Sequence, residues 1–282
     1  TIMSTQITTA FVEQYSANVQ HLAQQKGSRL RACVDVETIT GKNAFFEQIG
    51  SVAARKRPAR HSDTPQMDTP HARRRVSLED YDWADLIDNE DRVRMLIDPT
   101  SPYVTAASNA MGRAMDTAII EAADGTAFTG TTGSTSTAYD TANTIGVQVG
   151  ISPAADTGLN IGKLRAAKEV LDANEVDPDA KRVCILNATQ LRNLLAQTEV
   201  TSSDFNTVKA LVQGEVNEFL GFRFIRTQLI GVDSNSDDKV LYFTQPGMKL
   251  AVGINPVARI SERSDKNHAT QVYYSMSIGA TR

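Results

Sequence analysis

Residues 43–87 constrain the chain more than any other stretch, because they combine two runs suited to strands with a charged middle that prolines keep from becoming helix. The first run, residues 44–54, reads Ala-Phe-Phe-Glu-Gln-Ile-Gly-Ser-Val-Ala-Ala, and the second covers residues 72–87. Between them stand Pro58, Pro65 and Pro70, and Asp-Thr-Pro occurs at 63–65 and again at 68–70. Such a tripeptide favours a locally hydrogen-bonded turn with restricted backbone. The whole of 43–87 is therefore expected to form a long β-hairpin with a stiffened tip. About ten residues per strand at ~3.3 Å each would project it roughly 30–40 Å. A two-stranded ribbon alone is marginally stable. It needs a partner.

The charge pattern suggests which one. Residues 55–75 hold Arg55, Lys56, Arg57, Arg60, Arg73, Arg74 and Arg75 against Asp63 and Asp68, a net of +5. Residues 79–98 hold Glu79, Asp80, Asp82, Asp85, Asp88, Glu90, Asp91 and Asp98 against Arg92 and Arg94, a net of −6. The expectation is a positive tip and a negative base, with the seven bases and Glu79 to Asp91 as contacts between copies of the chain. Nonspecific phosphate binding by the bases is the weaker reading, since acidic complements follow so closely. Paired catalytic carboxylates are weaker still, because the acids are spread along an exposed segment.

The flanking segments have their own signals. Phe11, Tyr15, Val19 and Leu22 trace an amphipathic helix over 7–26 that Gly27 can end, and Leu30 to Val36 suits a short strand. Ser101 as N-cap and Pro102 as first residue open a long helix over 102–124, whose apolar face runs Val104, Ala107, Met111, Ala114, Met115, Ala118 and Ile119. Gly125 should stop it, and the Gly/Thr/Ser stretch 125–138 is expected to be a mobile loop. An α/β lobe follows: helix 160–173, strand 181–186, helix 188–197 capped by Asn187, and a short helix over 204–213. Strands at 221–228, 239–244, 248–253, 257–263 and 270–279 complete the chain, with a turn at 233–238.

Several function classes lack their residues. His21, His61, His71 and His268 show no zinc-protease or zinc-finger spacing, and a metal held by His61, Asp63, Asp68 and His71 is less expected than a solvated loop tip. Gly158 to Lys163 resembles a phosphate loop one residue short, with Leu164 where a magnesium ligand belongs. No nucleophile elbow or dinucleotide fingerprint is present. No cofactor, metal or catalytic role is expected. The net charge of −4 argues against a dedicated nucleic-acid binder. Cys33 and Cys184 sit in no ligand spacing and are expected to be reduced, partly buried thiols. No apolar run reaches the ~20 residues of a membrane span. The first residues are polar, which suggests synthesis and assembly in the cytoplasm, and the opening Thr1-Ile2-Met3 suggests either a removed leader or a start at Met3. Aromatics are only 6% of the chain, a composition that suits thin layers completing their burial against other copies.

Two stretches carry a specific resemblance: Gly-Lys-Asn-Ala-Phe-Phe-Glu-Gln-Ile-Gly (41–50) and Asp-Thr-Pro-His-Ala-Arg-Arg-Arg-Val-Ser-Leu-Glu-Asp-Tyr-Asp-Trp-Ala-Asp-Leu-Ile-Asp (68–88). Together with Phe-Leu-Gly-Phe-Arg-Phe-Ile-Arg (219–226), they resemble the major capsid proteins of tailed, podophage-like bacteriophages. The resemblance implies an α+β fold of the Hong Kong 97 type. It implies an N-terminal arm (1–39), an extended β-hairpin loop (40–88) and a peripheral domain (89–154) built on the spine helix 102–124. An axial domain (155–255) and closing peripheral strands (256–282) would follow. It further implies a non-enzymatic subunit forming hexamers and pentamers of an icosahedral head around double-stranded DNA, contacted nonspecifically. A separate scaffolding protein, a portal and a decoration or cement protein would be its partners, with no membrane. An encapsulin-like compartment shell is the alternative, distinguished by what is packaged.

Overall fold

The structure, a computed structural model, describes residues 24–57, 59–60, 62–64, 66–89, 100–150, 155–197 and 218–282. The strands are β1 (Asp35–Thr38), β2 (Asn43–Ile49), β3 (His71–Ser77), β4 (Glu79–Ile87), β5 (Ala127–Thr129) and β6 (Thr135–Thr137). Then come β7 (Arg182–Leu186), β8 (Glu218–Phe219), β9 (Phe222–Arg226), β10 (Leu241–Thr244), β11 (Lys249–Arg263) and β12 (Ala269–Thr281). Helices span Thr100–Asp124, Ile161–Ala173 and Ala188–Leu195. The expected helix over 204–213, and that over 7–26 as far as residue 23, lie outside the described residues.

The long helix Thr100–Asp124 exists because Ala107, Met111, Met115 and Ile119 recur every four residues, and all four are buried. It is already helical at Thr100, so Ser101 lies within it and is not its cap. Pro102 is tolerated so close to the start because early amides have no intrahelical acceptor. At the other end Gly125 stops it as expected, its amide donating to the Glu121 carbonyl at 2.9 Å.

This helix lies on a sheet of order β1-β11-β12-β4. Leu250, Val252, Met276 and Ile278 of the sheet share one buried cluster with Met111, Met115, Ile119 and Ile120. The separate strands expected at 248–253 and 257–263 are one strand, β11, so the expected boundary at 255 falls inside a continuous element. Pro256 is accommodated because the register with β12 shifts between Val252, Ile254 and Val257. There β11 is also an edge, since β1 pairs only as far as Val252.

A second sheet, order β10-β7-β9-β8, forms the core of the α/β lobe. Every residue of β7 is buried, and alternation divides them. Cys184 and Leu186 pack with Leu164, Leu191 and Leu194 of the two shorter helices. Val183 and Ile185 face the other way and join the long-helix cluster. Both shorter helices are capped by asparagine: Asn160 accepts from the Lys163 amide at 2.7 Å and Asn187 from the Gln190 amide at 2.8 Å.

The 30–36 segment is not a strand throughout. Residues Arg31–Cys33 form a single 3-10 turn and β1 begins only at Asp35. The cause is Asp116 on the long helix, fully buried, whose carboxylate accepts from the amides of Arg29 (3.0 Å) and Leu30 (3.1 Å). Ser28 Oγ and Gln25 Nε2 also donate to it. Two turns earlier on the helix, Asn109 accepts from the Gly27 amide at 3.2 Å. Between these two sits Gly112, where a Cβ would come within 2.6 Å of Gly27 Cα and Ser28 N. Gly to Ala inside a helix ordinarily gains about 0.5–1 kcal/mol. Here Gly112→Ala is expected to lose about 2 kcal/mol, by the overpacking of backbone against backbone. A rise in the urea midpoint would show that residues 27–28 do not lie there.

Candidate assembly surface

The hairpin forms as the sequence suggests, but it ends sooner. β2 and β3 pair antiparallel from Asn43↔Ser77 to Ile49↔His71, and the last rung is the Gly50 amide donating to the Pro70 carbonyl at 2.9 Å. β4 does not continue the arm; it pairs along its whole length with β12, from Glu79↔Ile278 to Ile87↔Thr270. The Gly/Thr stretch expected to be a mobile loop supplies β5 and β6, which extend the hairpin's sheet through Arg74↔Thr129 and Arg75↔Phe128. The hairpin root has a small core of Phe46, Val76 and Ala251, flanked by Ile39, Ala44 and Leu78.

This register moves three of the expected tip residues to the root. Arg73, Arg74 and Arg75 lie opposite Glu47, Phe46 and Phe45. Arg73 pairs with Glu47, donates to the Thr131 carbonyl at 3.2 Å and stands over the Phe45 ring at 5.3 Å. Arg75 stands 4.8 Å over Phe128. Arg74 makes no hydrogen bond or ion pair among the described residues, its Nε is buried without a partner, and Arg282 lies close enough to feel its charge. Residues 50–70 at the tip keep Arg55, Lys56, Arg57 and Arg60 against Asp63 and Asp68, so four bases less two acids leave +2. The alternation Phe45-x-Glu47 facing Arg73-x-Arg75 was the signal for this stacking, and it becomes readable once the register is known.

The acids take a defined position. Glu79, Asp80, Asp82 and Asp85 lie on β4, an edge strand, while Tyr81 and Trp83 turn inward to the long-helix cluster. Asp80, Asp82 and Asp88 are exposed and make no ion pair or hydrogen bond among the described residues. Glu79 accepts from Tyr81 Oη at 3.1 Å, and Asp85 from the Leu86 amide at 2.9 Å. Glu90 and Asp91 lie outside the described residues.

Elsewhere the chemistry-bearing groups are occupied with structure. The ammonium of Lys163 donates to the Thr157 and Gly158 carbonyls of its own loop, and Gly150 packs against Gly162, so 158–163 is closed on itself. Among the described residues no three His, Cys, Asp or Glu side chains gather as a metal site, and His61 is not among them. Cys33 and Cys184 are both buried free thiols. Burial raises the pKa of each, that of Cys184 to about 12. No helix among the described residues is long and apolar enough to cross a membrane.

An extended hairpin, a long helix across a four-stranded sheet and an α/β lobe together make the Hong Kong 97-type fold of phage shell subunits. Solved structures share it. The capsid of the cyanophage P-SCSP1u is 18% identical, with a TM-score of 0.71 over 97% of this chain and 90% of that one. The capsid of Ralstonia phage GP4 is 12% identical, with a TM-score of 0.70 over 96% and 91%. The head structure of Helicobacter pylori bacteriophage KHP40 is 9% identical, with a TM-score of 0.68 over 96% and 88%. No curated protein sequence matches the chain. A family model described as phage capsid protein matches residues 7–282, and the chain belongs to that family. It is a structural protein of a phage virion, a subunit of a shell assembled from repeated copies.

Proposed function

We propose that copies of this chain close head-to-tail into hexamers and pentamers of an icosahedral head around double-stranded DNA. The arm β2–β3 reaches over the next copy. The observation that carries this reading is the opposed charge of two elements of one subunit: Arg55, Lys56, Arg57 and Arg60 beyond the hairpin's last rung, and Glu79, Asp80, Asp82, Asp85 and Asp88 on and just after the edge strand β4. Head-to-tail contacts of this kind close into rings. One exposed ion pair contributes only ~0–1 kcal/mol. Several per arm, repeated around a ring, direct assembly while each step stays reversible.

The role is structural and non-enzymatic, with no cofactor. DNA is contacted nonspecifically from inside the shell, which is assembled in the host cytoplasm. Scaffolding, portal and cement proteins are the further partners. In domain terms, the hairpin is the extended loop, the long helix and β1-β11-β12-β4 sheet are peripheral, and the β10-β7-β9-β8 lobe is axial. Negative-stain microscopy of the expressed chain, alone and with its neighbouring genes' products, tests the reading. Rings or shells are expected; a compact monomer under every condition would falsify it.

A further inference from the structure

Beyond the rung Gly50–Pro70, residues 51–57 (Ser-Val-Ala-Ala-Arg-Lys-Arg) are all exposed and pair with no strand. They make no backbone hydrogen bond among themselves or with other described residues, and Val52 keeps 62% of its surface open. In the sheet under the long helix β4 is the last strand, and among the described residues nothing pairs along its outer edge. An edge strand of nine residues presents a row of amide and carbonyl groups to any extended segment. Its acids discourage a second β4 from pairing there, since like charges placed opposite one another on neighbouring strands repel.

We propose that residues 51–57 of one copy add to β4 of the next as an antiparallel fifth strand, with Arg57 opposite Asp80, Arg55 opposite Asp82 and Ala53 opposite Ala84. This rests on the capsid reading and specifies how its arm binds. Strand addition takes affinity from the main chain and specificity from alternate side chains. The alternation matches here. Arg55 and Arg57 are two residues apart and so point to one face of an extended segment, as do Asp80 and Asp82 on β4, which are exposed and without partners. One register sets both guanidiniums against both carboxylates and leaves two small alanines facing each other. The ladder has a natural end, because Pro58 follows Arg57 in the sequence and has no amide to donate.

Two measurements test it in the full chain. The variant Ala53→Cys/Ala84→Cys, assembled and oxidised, should run without reductant as a covalent ladder of subunits, while each single variant stays monomeric. The native thiols do not interfere, because Cys33 and Cys184 are buried. Separately, Arg55→Asp/Arg57→Asp and Asp80→Arg/Asp82→Arg should each lower particle yield at least tenfold, and the four changes together should restore it. Shells that form without a ladder, or a fourfold variant that stays unassembled while folded, overturn the strand addition and leave the capsid reading intact. If the unaltered chain forms no shell with any partner, both fall.

Discussion

Asp116→Ala is expected to destabilise the unassembled subunit by roughly 3–5 kcal/mol, because several donors lose one shared buried acceptor at about 1–3 kcal/mol each. The carboxylate is fully buried and accepts from the Gln25 and Ser28 side chains and from the amides of Arg29 and Leu30. Alanine leaves all four donors without that acceptor, and an unsatisfied buried polar group costs about 1–3 kcal/mol. Asp116→Asn keeps one acceptor oxygen but turns an amide toward donors, so a smaller loss is expected. The effect should begin locally. Hydrogen exchange at Arg29 and Leu30 should quicken before global unfolding, and Cys33, buried at the end of the 3-10 turn that follows them, should become reactive to a thiol reagent ahead of Cys184. An unchanged urea midpoint for the alanine variant would show that the carboxylate does not hold this segment.

The second large effect belongs to the other core. Phe222 on β9 is fully buried among Leu186, Leu191, Leu194 and Phe224. Phe222→Ala should cost about 3–5 kcal/mol, from lost transfer energy and the cavity left behind. Here the order of thiol exposure should reverse. Cys184 packs in the same cluster and burial holds its pKa at about 12, so in the native lobe it is neither accessible nor ionised near neutrality. Opening of this lobe should make Cys184 react first while Cys33 stays protected. Equal labelling rates in both variants would mean that the two clusters melt as one.

Local chemistry was what the sequence conveyed best. Asn187 caps its helix as placed, because a cap is decided within four residues, while Asn160, read as the first residue of its helix, turns out to be its cap. The long helix followed from its four-residue apolar step, and the β2–β3 pairing from two short runs around a proline-rich turn. What stayed hidden was decided by distant partners. Residues 79–87 look like the arm's continuation until β12, nearly two hundred residues later, claims them. The Gly/Thr stretch looks coreless until β3 pairs with it. Arg73, Arg74 and Arg75 were legible as charge but not as position, since a hairpin's register fixes which bases sit at the tip. Asp116 gave no signal at all: one acid in a helix is ordinary until a remote segment brings four donors to it.

The odd and even residues of β7 divide between two cores, and this has a mechanical consequence. Val183 and Ile185 anchor the α/β lobe to the same cluster that holds the long helix and the β11–β12 sheet. Bending one lobe against the other would have to shear that shared cluster, whereas beyond the Gly50–Pro70 rung residues 51–57 of the hairpin are all exposed and pair with no strand. Stiffness is therefore distributed unevenly, with a firm body carrying a pliant limb. In the proposed pentamers and hexamers, where neighbouring copies would meet at different angles, the limb is the part expected to yield, so that one body could serve both.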